Sequence, residues 1–97
     1  MVSEMAKWIT VETRWLMDAA EFEMPPDGER LELLQSKVEG LIEPVYLRDG
    51  TVLICNEEAR LYALPLNIVA TTLASKSFGV AYPIYGPVVF CKDGEEW

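Results

Sequence analysis

The chain has 97 residues, 51% of them hydrophobic and 25% charged, and its 8 basic against 16 acidic side chains leave a formal net charge of −8. That length supports one modest core, the apolar share excludes an intrinsically disordered chain, and no apolar run approaches the roughly 20 residues of a bilayer-spanning helix. Histidine is absent, which removes the usual general base and the commonest transition-metal ligand, and the acidic balance disfavours phosphate-backbone binding, where Lys and Arg supply the affinity.

The acid is unevenly spread. Residues 1–50 carry 5 basic and 11 acidic groups, residues 51–97 only 3 and 5. An acidic N-terminal half suits a partner with a basic surface, although solubility alone is the plainer use of such charge. The opening MVSEMAKWIT has neither a basic n-region nor a long apolar h-region, so a cytoplasmic protein is expected. Its two cysteines, Cys55 and Cys91, end β-branched apolar runs and are expected as buried, reduced thiols; no CxxC spacing suggests a metal or redox site.

Taken in chain order, residues 5–24 predict two strands joined near Leu16 to Ala19. Trp8, Ile9, Val11 and Thr13 are strand formers, and in AEFEM Phe22 and Met24 alternate with Glu21 and Glu23. Pro25 and Pro26 close the pair. Asp27 then caps a helix with Glu29 and Glu32 at its positive end; Leu31, Leu34 and Val38 recur at helical spacing and Gly40 stops the pattern.

From Ile42 the period becomes two. Ile42, Val45 and Leu47 lead to Asp49-Gly50, a hairpin signal for a primed turn, and TVLIC follows. Asn56 is read as the cap of a short helical turn begun by Glu57 and Glu58 and ended by Pro65, and Asn67 as the cap of a helix over IVATTLA. AYPIYGPVVF predicts a final strand pair: Tyr82, Ile84 and Tyr85, a turn at Gly86-Pro87, then Val88 to Cys91. The KDGEEW tail reads as polar and frayed.

These elements predict an α+β fold: a small mixed, mainly antiparallel sheet with two or three short helices packed on it. A single domain over 1–97 divides into an N-terminal strand pair (1–26), a core (27–92) and the tail (93–97).

The stretch from Leu34 to Ala74, with IYGPVVF after it, resembles a family of small uncharacterised domains encoded by phages, plasmids and other mobile elements. The resemblance is carried by Leu34, Val38, Gly40, Ile42, Glu43, Val45, Asn56, Glu57, Glu58, Leu64, Pro65, Asn67, Ala70, Thr71, Gly86, Val88 and Val89. It covers about the C-terminal two thirds; Leu41 with Pro44, Ala59 in place of a glycine, and a longer N-terminal region depart from it. No reaction comes with the resemblance, which implies the fold and a mobile-element origin.

Asn56-Glu57-Glu58 invites a metal or acid–base reading, but consecutive side chains diverge and no third acidic ligand stands at a supporting spacing, so the cap reading is preferred. Asn56, Asn67 and Thr71 are the candidate ligand-binding residues, hydrogen-bonding groups suited to a base or ribose at one sheet edge. No phosphate loop occurs, and neither the serines nor the cysteines have a histidine to activate them. The ten aromatics, Trp8, Trp15, Tyr46, Tyr62, Phe78, Tyr82, Tyr85, Phe90 and Trp97 among them, exceed what a small core must bury.

The expected function is therefore non-enzymatic: a phage or mobile-element accessory protein that binds a host protein, a counter-defence inhibitor of the anti-CRISPR or anti-restriction type. Trp8, Trp15, Glu21, Glu23, Glu29 and Glu32 are the expected contact residues. The alternative is a sponge for a nucleotide immune signal. No cofactor, metal, membrane or direct nucleic-acid partner is expected, and a homodimer is expected through the β-branched, nearly uncharged strand at Pro87 to Cys91 as an exposed edge, or through an aromatic patch.

Overall fold

The computed structural model describes residues 5–11, 17–23, 25 and 27–91, with side chains for 25 and 28–91. Five strands, β1 (Met5–Val11), β2 (Met17–Glu23), β3 (Ile42–Tyr46), β4 (Val52–Asn56) and β5 (Val88–Cys91), form one sheet in the order β2-β1-β5-β4-β3, with every neighbouring pair antiparallel. Two helices, α1 (Asp27–Val38) and α2 (Ile68–Phe78), cover opposite faces.

The side-chain period of a strand produces these two faces. Leu34 and Val38 of α1 pack with Val52, Ile54, Val89 and Cys91, and Ile42 joins them. On the other face, Ala70 and Ala74 of α2 meet Val45, Leu47, Leu53, Cys55, Ile84 and Val88. Ile42 thus points to the α1 side while Val45 and Leu47 point to the α2 side. β4 is buried at all five positions, which is why VLIC is a continuous apolar run rather than an alternating one.

Both helix caps on α2 follow from its sequence. Asn67 Oδ1 accepts from Ala70 N at 3.0 Å, and Gly79, at φ 72°, donates its N–H to Ser75 O at 2.9 Å. Helix α1 ends differently from the expectation that Gly40 stops it. The left-handed residue is Glu39 (φ 66°), and Gly40 N donates to Gln35 O at 3.0 Å as the next residue of a Schellman motif. Gly40 is required for space instead: a Cβ there would stand 2.8 Å from Asn56 Nδ2.

Four further expectations need correction. β2 begins at Met17, with Val11 opposite Met17, so the join between the first two strands falls before Met17 rather than near Leu16 to Ala19. In the β3–β4 hairpin only Gly50 has positive φ, 93°. Leu47 N donates to Thr51 O at 2.8 Å and Gly50 N to Leu47 O at 3.2 Å, so the loop is a three-residue connection with glycine at a bulge, not a primed turn. Thr51 N donates to Asp49 Oδ1 at 2.9 Å, and this hydrogen bond holds the Asp49 carboxyl below the usual carboxylate range.

Third, residues 82–85 are not a strand. Their backbone polar groups are taken by side chains of α2: Ser75 Oγ accepts from Tyr82 N at 2.9 Å, Thr71 Oγ1 accepts from Ile84 N at 2.9 Å and donates to Ile84 O at 3.2 Å, and only an isolated bridge, Leu66 to Tyr85, remains. Fourth, β5 is not an edge. It lies between β1 and β4, paired on both sides, and Val88 and Val89 are fully buried, so its apolar, β-branched side chains fill the cores on both faces. The sheet edges are β2 and β3, and Pro44 within β3 suits an edge because it has no N–H for a further strand.

Candidate functional site

Beside the N-terminal end of α2 the fold leaves an open groove of about 380 Å³. Its floor is made by Val45, Cys55, Ala59 and Ile84, all buried. One wall comes from the segment 81–85, where Tyr82 and Tyr85 are half-buried, and the opposite side carries Glu43 from β3 with Glu57, Glu58, Arg60 and Leu61 from the turns after β4. Three carboxylates and one guanidinium make the lining net acidic.

The turn that supplies this charge is held from within. Asn56 Oδ1 accepts from Glu58 N at 2.7 Å, its Nδ2 donates to Val38 O at 3.0 Å, and its backbone carbonyl accepts from Ala59 N at 3.3 Å. Asn56 does cap the segment, but residues 57–63 form successive turns rather than a helix. They close on Ala63 at φ 52°, with Leu64 N donating to Ala59 O at 3.0 Å and Ala63 N to Arg60 O at 3.2 Å. Leu61, 78% exposed, and Tyr62 project outward beside the groove.

The 81–85 wall is held to α2. Asn67 N donates to Ile84 O at 2.8 Å and Asn67 Nδ2 to Gly86 O at 2.9 Å, from a side chain with 0% exposure. Arg60 places its guanidinium 5.5 Å from the centre of the Tyr85 ring, within cation–π range. The ring is thus already presented to a cation.

Cys55 on the floor is a thiol, not a thiolate. Burial, and secondarily the charge of Glu43, push its pKa up to about 12, and its Sγ contacts Leu53 O at 3.7 Å. Neither Cys55 nor Cys91, both buried, forms a disulfide. No group of three His, Cys, Asp or Glu side chains among the described residues is placed to hold a metal ion. The chemistry open to this groove is recognition of positive charge against aromatic and carboxylate surface.

The residues expected as sites fall in several places. Asn67, the cap of α2, and Thr71 within it both bond the 84–86 segment, whereas Asn56, at the end of β4, turns its side chain to Val38 at the end of α1 on the other side of the sheet; each hydrogen bonds to backbone, so they shape the walls. Glu29 and Glu32 are exposed on α1, across the sheet from the groove, Glu21 and Glu23 lie in edge strand β2, and Trp8 occupies β1 opposite Ala20 and Val89. Trp15, Trp97 and the tail lie outside the described residues. Glu43, Arg60, Tyr82 and Tyr85 were not singled out together, because nothing in their spacing shows that residue 43 and the 81–85 segment meet. The signal that was available is the Tyr-Pro-Ile-Tyr run at 82–85, too polar at its ring tips for a fully buried strand.

Residues 7–97 match a known family, described as Domain of unknown function (DUF3846). The chain belongs to this family. The match takes in the N-terminal strand pair as well as the later region, and so reaches further than the two thirds that the sequence resemblance covered. A search of the curated proteins found no match, and neither did a search of the solved structures. Among the described residues no helix is long and apolar enough to cross a membrane.

Proposed function

We propose that this protein acts stoichiometrically, by binding another protein and taking a basic, arginine- or lysine-bearing segment of it into the groove. One observation carries the reading: Tyr82 and Tyr85 face Glu43, Glu57 and Glu58 across an open cleft, and Arg60 already lies over one of the rings. A groove of this size fits a long side chain, its aliphatic stem against Val45, Ala59 and Ile84 and its charged end among the carboxylates. The exposed Leu61 and Tyr62 supply apolar area at the rim, as interfaces with hot-spot tyrosines do.

Taken with the mobile-element origin that the sequence resemblance implies and with the acidic charge of the chain, the partner is read as a host protein with a basic surface and the role as counter-defence, inhibiting a defence or nucleic-acid-processing machine. The contact surface is then the groove and its 57–62 rim. Titration calorimetry with a short arginine-rich peptide tests the binding. Affinity that falls with added salt, and about tenfold in a Glu57→Gln, Glu58→Gln double variant, is expected. Equal binding of a glutamate-rich peptide, or indifference to that double variant, overturns the reading.

A further inference from the structure

Helix α2 buries the wrong side chains for an ordinary surface helix. Its inner face is alanine, while Ile68 (47% exposed), Val69 (38%) and Leu73 (41%) face outward with Thr72 and Lys76. At 100° per residue these five outward positions cover an arc of about 140°, with the short Thr72 inside it. No Asp or Glu occurs in α2, in a chain of net charge −8.

The surroundings of this face are polarised along the helix. At its C-terminal end Ser77 Oγ accepts from Arg48 N at 2.8 Å, which places the exposed Arg48 beside the exposed Lys76. At its N-terminal end Asn67 binds Ile84, and Ile84 lines the groove that holds Glu43, Glu57 and Glu58. On balance one end is basic, Arg48 and Lys76 against Asp49, and the other acidic, Glu43, Glu57 and Glu58 against Arg60, with an apolar, acid-free band between.

We infer that the outer face of α2 pairs with the same face of a second copy, antiparallel, about a twofold axis near Thr72. Antiparallel apposition sets the basic end of each copy against the acidic end of the other, whereas a parallel one sets like against like. Elsewhere two chains of this net charge repel, so the acid-free band is where self-association costs least. A foreign basic protein is drawn to the carboxylates of the groove rather than to this band. An 11-residue helix is only about 16 Å long, so the contact lies near the lower end of specific interfaces and the dimer dissociates on dilution. The pairing rests on the outer face of α2 and needs no peptide in the groove, although the partner's basic end approaches the same carboxylates.

Sedimentation velocity on the full chain, from low to high micromolar, reads the association. A monomer–dimer equilibrium is expected, weakened at least about tenfold by Leu73→Arg. Lys76→Gln should weaken it more than Ser36→Glu, which changes net charge by the same one unit on the exposed side of α1, across the sheet. Under oxidising conditions Thr72→Cys should form a disulfide-linked dimer and Ser36→Cys should not; circular dichroism confirms that each variant is folded. A monomer throughout overturns the inference, as does a dimer indifferent to Leu73→Arg or one that Ser36→Cys captures as well as Thr72→Cys. Loss of a foreign partner in Leu73→Arg, with the unmodified chain monomeric, assigns the face to that partner and also overturns it. Leu73 does not line the groove, so Leu73→Arg keeps binding the peptide, at least as tightly as the unmodified chain, if the groove reading holds, and the two proposals fail separately.

Discussion

Gly40→Ala places a methyl group 2.8 Å from Asn56 Nδ2 and 3.4 Å from its Cγ. The amide has little room to yield, because it donates to Val38 O at 3.0 Å and accepts from Glu58 N at 2.7 Å, while Gly40 itself is fixed by its N–H to Gln35 O. Gly40 has no positive φ, so the penalty is one of contact rather than of backbone conformation. Displacing the amide leaves the buried helix-end carbonyl of Val38 without a donor, at a cost of about 1–3 kcal/mol. The smaller conformational entropy of alanine in the unfolded chain returns about 0.5 kcal/mol. The net loss is about 1.5 kcal/mol, or a Tm lower by roughly 6–12 °C for a domain of this size. Thermal unfolding followed by circular dichroism measures it, together with Asn56→Ala and the double variant. Once Asn56 is alanine the clash has gone, so Gly40→Ala should then be close to neutral, a coupling of about 1.5 kcal/mol. Effects that add within about 0.5 kcal/mol would refute the reasoning. The same displacement loosens the turn that carries Glu57, Glu58 and Arg60, so peptide affinity should fall with stability.

Glu39→Gly should stabilise the protein, because it relieves a left-handed residue and removes a carboxylate from the negative end of α1; those gains, less the entropy of glycine, leave about 0.5–1 kcal/mol and a Tm higher by roughly 4 °C. Val89→Lys, harmless on an edge strand, should instead cost about 4 kcal/mol or more and leave an unfolded chain by circular dichroism, since Val89 is buried in the central strand against α1. Cys55 sets a high-pH limit: its thiol rises from an ordinary 9.0 to about 12 in the folded chain, so the folded state holds the proton more tightly. That term leaves stability unchanged below about pH 9 and lowers it from about pH 9 to about pH 12, by at most roughly 1.4 kcal/mol per unit. Denaturant midpoints across that range, compared with Cys55→Ala, should diverge; parallel curves would show that Cys55 is not protonated by burial.

How much could be read from the sequence depended on how local the cause was. The cap at Asn67, the turn at Gly50 and the helical spacing of Leu34 and Val38 act within a few residues, and they placed α1, α2 and the β3–β4 hairpin. Strand order is not local. VVFC looks the same whether it lies at an edge or in the centre, and its place between β1 and β4 follows from pairings with strands far away in sequence. The 82–85 segment has strand composition, but Asn67, Thr71 and Ser75 compete for its backbone, and only the packing of α2 shows that they win. For the same reason the groove was hidden: Glu43, Glu57 and Tyr85 meet only after the sheet and α2 are assembled. Gly40 reads in the sequence as helix punctuation, whereas its role depends on a side chain 16 positions later, that of Asn56.

The central claim is that the groove between the 57–61 turn and the 81–85 wall recognises positive charge. Backbone amide shifts of isotope-labelled protein, recorded while a short arginine-rich peptide is added at low salt, test it most directly. The account predicts changes concentrated at Glu43, Glu57 to Leu61 and Ala81 to Tyr85, reversed by salt and lost in the Glu57→Gln, Glu58→Gln variant, with α1 unmoved. Changes centred on Glu29 and Glu32 of α1, or none at all, would contradict it.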